Sequence, residues 1–223
     1  MNIRKLSGRA IVALCATVGA TAALPSGGQA AVILTFGQSG NSNVITGTQT
    51  GSSTTIAAID APVTVSQIDA AQNVPFAGFL DMNLVSTSAA IPVSDNLQQH
   101  FSGTFSITSG TGGSGTNYLS GSLIDIAFGS GSEFNLSAST PPSGNVIFSS
   151  GVIIPADLTG NLGAGFSFAN VTDPLSIVDG TFASFTSSVS GTFSANQSIM
   201  EPASLALLGA GLFGVAVSRR RRA

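Results

Sequence analysis

Between residues 31 and 200 apolar side chains return at every second position over short runs. Phe101, Gly103, Phe105 and Ile107 alternate with Ser102, Thr104, Ser106 and Thr108, and a period of two predicts a strand with one buried and one solvated face. Residues 76–85 place Phe76, Leu80, Met82 and Leu84 on one face and Asp81 and Asn83 on the other. Ser122, Ile124, Ile126 and Phe128 alternate in the same way around Leu123, Asp125 and Ala127, and read as the apolar face of a further strand. Phe185, Val189 and Phe193 continue the pattern late in the chain. Clusters of Gly, Ser, Asn and Pro at 109–117, 129–132 and 140–145 punctuate these runs as turns do.

No stretch of this body has ten or more residues at helical period with capping residues. The expectation is an all-β fold, an antiparallel β-sandwich or jelly-roll-like body, because antiparallel pairing suits strands with one wet face. A domain of this size buries roughly 70% of the surface of its extended chain, so its core needs no disulfide staples. Residues 37–55 are the most polar and are expected to form a flexible lead-in or an edge hairpin. The pentapeptide Ser102-Gly103-Thr104-Phe105-Ser106 recurs as Ser190-Gly191-Thr192-Phe193-Ser194; five common residues are read as convergent strand composition rather than duplication.

The two ends follow different patterns. Arg4, Lys5 and Arg9 precede an apolar run over 10–24, Pro25, Gly27 and Gly28 break it, and Gly28 and Ala30 supply small residues before Ala31. That is the design of a secretory signal peptide (1–30) cut by signal peptidase between Ala30 and Ala31. Its removal would take away Cys15, the one cysteine. At the other end, the uncharged residues 203–218 precede Arg219, Arg220, Arg221 and Arg222. Sixteen residues at about 1.5 Å each give roughly 24 Å of helix against a hydrocarbon core of about 30 Å. A single C-terminal transmembrane helix with its basic tail in the cytoplasm is therefore expected, the arginines snorkelling across the mismatch. This divides the chain into a signal peptide, a β domain over 31–198 and a terminal sorting segment over 199–223.

Charge sharpens that division. All seven Lys and Arg residues lie in the two end segments, whereas 31–200 has nine acids and no cation, a net charge of −9. A surface without cations cannot neutralise phosphates, which excludes nucleic acid as a partner of the body. In place of charge the body carries 29 Ser and 18 Thr, the groups that keep its outer faces wet.

The order Ile199-Met200-Glu201-Pro202-Ala203-Ser204, a short Leu/Ala/Gly helix and an arginine tail resembles the PEP-CTERM sorting signal of Gram-negative bacteria, a module also labelled as the C-terminal domain of ice-binding proteins. Glu201, Pro202, Ala203 and Ser204 carry the likeness, and Ile199-Met200 stands where members usually have Val-Pro. The resemblance implies an exosortase-type membrane peptidase as partner, passage through the general secretion machinery, and an association with exopolysaccharide and biofilm.

Candidate chemistry in the body is sparse. Gly110-Thr111-Gly112-Gly113-Ser114-Gly115 fits G-x-G-x-x-G, but a strand rather than a helix is expected next, so it reads as a hairpin loop. His100 is the sole histidine; a Ser-His-Asp hydrolase would use it with Asp81 or Asp95, yet no G-x-S-x-G elbow is present. A glycosidase would be expected to use aromatic platforms, and the body has no Trp and one Tyr. No cofactor is expected; calcium would draw on Asp157, Asn161, Asp173 and Asp179 in turn-rich sequence. Thr46-Gly47-Thr48-Gln49-Thr50 gives one Thr-x-Thr row of the kind seen in ice-binding solenoids. The expected function is a non-enzymatic, exosortase-processed structural or binding protein of the cell surface or extracellular matrix. The alternatives are a hydrolase of matrix polymers or an ice- or glycan-binding adhesin.

Overall fold

The computed structural model describes residues 30–69, 74–140 and 145–196. The predicted transmembrane helix, sorting motif and basic tail, and the signal peptide up to residue 29, lie outside the described residues. Among the described residues no helix is long and apolar enough to cross a membrane. The strands are β1 Ala30–Gln38, β2 Ile45–Thr50, β3 Ser53–Ile68, β4 Phe76–Ser86, β5 Ile91–Val93, β6 Asn96–Thr108, β7 Asn117–Ser130, β8 Glu133–Ser139, β9 Asn145–Ser149, β10 Gly163–Thr172, β11 Ile177–Val178, β12 Thr181–Phe182 and β13 Phe185–Asn196. One short 3-10 turn, Pro155–Leu158, precedes β10.

The expectation of an all-β antiparallel body holds; the sandwich or jelly roll does not. Three pairs of strands lie end to end and act as single staves: β1 with β2 between β3 and β13, β4 with β5 along β6, and β8 with β9 along β7. Counted this way, each stave neighbours the next one in sequence, and β13 returns to β1 with Ala30 opposite Asn196 and Gly37 opposite Ser190. The result is a closed, eight-stave, up-and-down antiparallel barrel. Closure removes the two open edges that a sandwich would have to protect. Residues 37–55 are correspondingly no edge: β2 and β3 do form a hairpin around Gly51 and Ser52, but β2 is also paired with β13.

The barrel is filled, not hollow. Phe105 and Phe193 stack at 4.9 Å near the middle, with Phe166 edge-on to both at 5.4 Å. A second aromatic layer sets Phe134 on Phe168 at 4.4 Å and edge-on to Phe185 at 5.2 Å. The β11–β12 hairpin closes this end, driving the fully buried Phe182 against Phe101 and Phe134. Buried polar groups hold the plug in place: Gln99 Nε2 donates to Thr181 Oγ1 (2.6 Å) and to the Ser88 carbonyl (2.9 Å), and its Oε1 accepts from the Phe182 N–H (3.0 Å).

Facing matches expectation in β4, β6 and β13 and is reversed in β7. Leu119, Leu123 and Ala127 are buried, whereas Ile124 and Phe128 are 44% and 42% exposed. The reason is register: β7 sets Leu123 opposite Gly103 and Asp125 opposite the inward Phe101, which turns Ile124, Ile126 and Phe128 outward.

Candidate functional site

Along each stave the outward positions carry Ser, Thr, Asn and Asp, and pairing aligns them into rows around the barrel. One row runs Ala57, Asn83, Thr104, Ser122, Ile147 across β3, β4, β6, β7 and β9, and the next runs Asp81, Ser106, Ser120, Ser149. Together they line a groove of about 810 Å³ on the outer wall. At about 4.8 Å between strands, its five strands span roughly 19 Å. Exposed aliphatic side chains stand at both ends, Ile59 on β3 and Ile147 on β9, 83% and 64% exposed.

Local sequence accounts for the shape. Gly121 lies in the floor, and a β-carbon there would fall 2.4 Å from the Ile147 carbonyl oxygen, so β7 and β9 approach this closely only because the residue is glycine. On the β3 side the pairing with β4 slips between Ala58 and Ala61. Asp60 takes a positive φ of 48° in that bulge, a region that Asp tolerates better than most residues. The slip pushes Ile59 outward and turns the Asp60 N–H onto Asp81 Oδ1 at 2.9 Å. The Asp60 carboxylate in turn accepts from the Gly112 N–H of the glycine-rich β6–β7 loop. Asp81 Oδ2 is buried and has no hydrogen-bond partner.

The side chains in the groove differ from their counterparts elsewhere on the wall. On other faces, polar side chains of adjacent staves bond to one another: Thr35 to Ser66 at 2.9 Å, Ser39 to Thr64 at 2.7 Å, Ser167 to Asn135 at 2.7 Å and Asn170 to Ser188 at 3.2 Å. Asn83, Thr104, Ser106 and Ser122 make no such side-chain bond with the described residues. Sequence reasoning assigned Asp81 and Asn83 to the solvated face but missed the groove, whose residue types are those of the whole outer surface.

The sites expected from sequence are placed as follows. His100 is exposed on the outer face opposite Ile126. Asp81 lies opposite Ser106, six residues farther along β6 and about 20 Å away at roughly 3.3 Å per residue. Asp95 sits in the turn between β5 and β6. The structure therefore does not bring His100 together with Asp81 as a catalytic pair. The calcium candidates are separated too: Asp157 and Asn161 precede β10, whereas Asp173 and Asp179 follow it. Among the described residues no three His, Cys, Asp or Glu side chains converge as metal ligands. The G-x-G-x-x-G segment is the β6–β7 hairpin loop, with positive φ at Gly112, Gly113 and Gly115. Thr46, Thr48 and Thr50 point outward in one row on β2. Ala30 and Ala31 open β1, opposite Asn196 and Ala195. Glu201, Pro202, Ala203, Ser204 and the four terminal arginines lie outside the described residues.

The end of the chain decides what kind of protein this barrel belongs to, because residues 201–222 match the PEP-CTERM protein-sorting motif. The chain carries a PEP-CTERM sorting signal. Such a signal marks an exported protein targeted to exosortase, a membrane protein. No curated protein and no solved structure matches the chain. The PEP-CTERM match begins at Glu201 and so leaves out Ile199 and Met200.

Proposed function

We propose that this is a cell-surface or extracellular-matrix protein with a structural or binding role, delivered as a membrane-anchored precursor and released from its anchor by exosortase. The observation that carries the reading is the PEP-CTERM motif at residues 201–222, which begins five residues after the last described strand of the barrel ends at Asn196. Several features support it. The N-terminal cations, apolar run and small residues before Ala31 form a signal peptide, so the body crosses the inner membrane and the arginine tail stays behind. A phenylalanine-filled interior leaves the outer wall as the functional surface, and that wall is rich in hydroxyl groups and free of Lys and Arg. Contact with a neutral matrix polymer, exopolysaccharide above all, suits such a surface.

Intact mass and both termini of the mature protein from its native host test the reading. Ala31 at the start and loss of residues 205–223 are expected. A secreted protein that still carries residues 205–223 would overturn processing.

A further inference from the structure

We propose that the outer groove across β3, β4, β6, β7 and β9 is a binding site for an uncharged saccharide chain, laid across the strands with Asp81 as its anchoring acceptor. The inference rests on the reading that the mature body works outside the cell, and it adds the site and the ligand chemistry.

Four observations select the ligand. The groove holds one carboxylate, one amide and a set of hydroxyls with no cation anywhere on the barrel, so an acidic chain would meet repulsion without a compensating salt link. Asp81 Oδ1 is fixed by the Asp60 N–H while Oδ2 lacks a partner; a carboxylate in that state calls for a donor, and a polyol brings donors in quantity. Asn83, Thr104, Ser106 and Ser122 are likewise uncommitted, although similar side chains on other faces pair with one another. Asn83, Thr104 and Ser122 stand in one row about 4.8 Å apart across β4, β6 and β7, with Ser106 beside Thr104 on β6, which lets successive rings of an extended chain meet successive staves. Ile59 and Ile147 at the two ends give apolar surfaces for the C–H faces of sugar rings in place of the missing tryptophans.

A peptide ligand fits less well. The groove runs across β3, β4, β6 and β7, whose backbone groups are paired on both sides, and a peptide added to the remaining edge of β9, which pairs with β7 alone, would run along that strand and not across the groove. An amine-bearing chain without hydroxyls would satisfy Asp81 but leave the hydroxyl rows without a role.

The experiment is calorimetric titration of residues 31–198, a segment whose core and closing strand pairs are internal, with linear neutral glucan oligosaccharides of several linkages. Chitosan oligosaccharides and an oligouronate serve as charged comparisons. The expected result is saturable binding of at least one neutral chain, weakened at least tenfold by Asp81→Asn and abolished by Ser122→Tyr, which fills the groove from an outward position. Thr64→Tyr, outward on β3 away from the groove, should bind as the parent does. The unfolding midpoint of each variant, compared with the parent, separates a lost site from a lost fold. Absence of binding to every neutral chain, binding confined to charged chains, or binding indifferent to Ser122→Tyr would each overturn the inference. Correct termini on the mature protein together with any of these outcomes would leave the processing reading standing and remove the site alone.

Discussion

The barrel consists of two four-stave halves, β1–β6 and β7–β13, with the same meander and different fillings. The first half lines its inner wall with Ile33, Ile56, Val63, Val65, Leu80 and Leu84 and supplies three of the ten buried phenylalanines; the second supplies Phe134, Phe148, Phe166, Phe168, Phe182, Phe185 and Phe193. Their likeness goes beyond topology. The repeated Ser-Gly-Thr-Phe-Ser lies on the fourth stave of each half, and Phe105 and Phe193 from the two copies stack across the interior. The third staves also match, Ala77-Gly78-Phe79 and Asn83-Leu84 against Ala164-Gly165-Phe166 and Asn170-Val171, 87 residues apart, beside 88 for the pentapeptide. Like segments thus occupy corresponding staves of the two halves. The two staves differ in facing: Phe166 points inward where Phe79 points out, and a bulge between Ala169 and Thr172 sets Asn170 on the same outward side as Asn83. One wall is aromatic, the other aliphatic, and glycines let them fit.

The largest expected effect tests that difference directly. Phe193 stacks on Phe105 and touches three more rings, so Phe193→Ala should cost about 3–5 kcal/mol in denaturant unfolding, whereas Ile56→Val in the aliphatic half should cost about 1 kcal/mol. Equal costs would show that the aromatic half is no more tightly packed than its twin.

Next come the glycines at which the two fillings meet. A β-carbon on Gly191 would lie 2.3 Å from the Phe36 ring and one on Gly47 2.2 Å from the Phe185 ring, whereas Gly37 has nothing within 4 Å. Gly191→Ala and Gly47→Ala should each destabilise by about 1–3 kcal/mol through overpacking. Gly37→Ala should be near neutral. A neutral Gly191→Ala would mean that the rings relax freely and that glycine there is not required.

How much of this is legible in the sequence depends on whether the information is local. The sorting signal is a contiguous string and can be read outright from Glu201 to Arg222. Strands with one strongly apolar face, such as β6 and β13, declare both themselves and their orientation. In β7 both faces carry apolar residues, and only pairing with β6 decides that Leu123 goes inside and Ile124 outside. Closure of the barrel joins Ala30 to Asn196 across nearly the whole body, and no local pattern encodes it. The groove is equally silent, since Thr104 and Ser122 resemble dozens of other hydroxyl residues until the pairing sets them in a row.

A smaller effect concerns the plug, which belongs to the second half but is held by the first. Gln99→Leu would leave the Phe182 N–H without its acceptor and the Ser88 carbonyl without the amide that donates to it, while Thr181 Oγ1 keeps Thr54 Oγ1 at 2.7 Å, an expected loss of about 1–3 kcal/mol. Amide exchange should quicken at Phe182 before it does at Val189 in the β13 wall. Uniform acceleration across both would show that the plug and the wall unfold as one unit.

The smallest effect is at Asn43, in the excursion over 39–44 that interrupts the first stave. Its Nδ2 donates to the Asn170 carbonyl at 2.9 Å, to Thr172 Oγ1 at 3.0 Å and to Thr186 Oγ1 at 3.1 Å, tying the first half to β10 and β13 at the surface. An amide carries two protons, so three such contacts share two donors, and exposure lets water replace each of them. Asn43→Ala should therefore cost about 0.5–1 kcal/mol, with exchange protection reduced at Val44, whose N–H bonds to the Ser187 carbonyl at 3.2 Å. Protection at Phe193 should be unchanged, because β13 keeps its pairing with β1 on one side and β10 on the other. A loss that reached Phe193 would make this polar seam, rather than the aromatic stack, the principal tie between the halves.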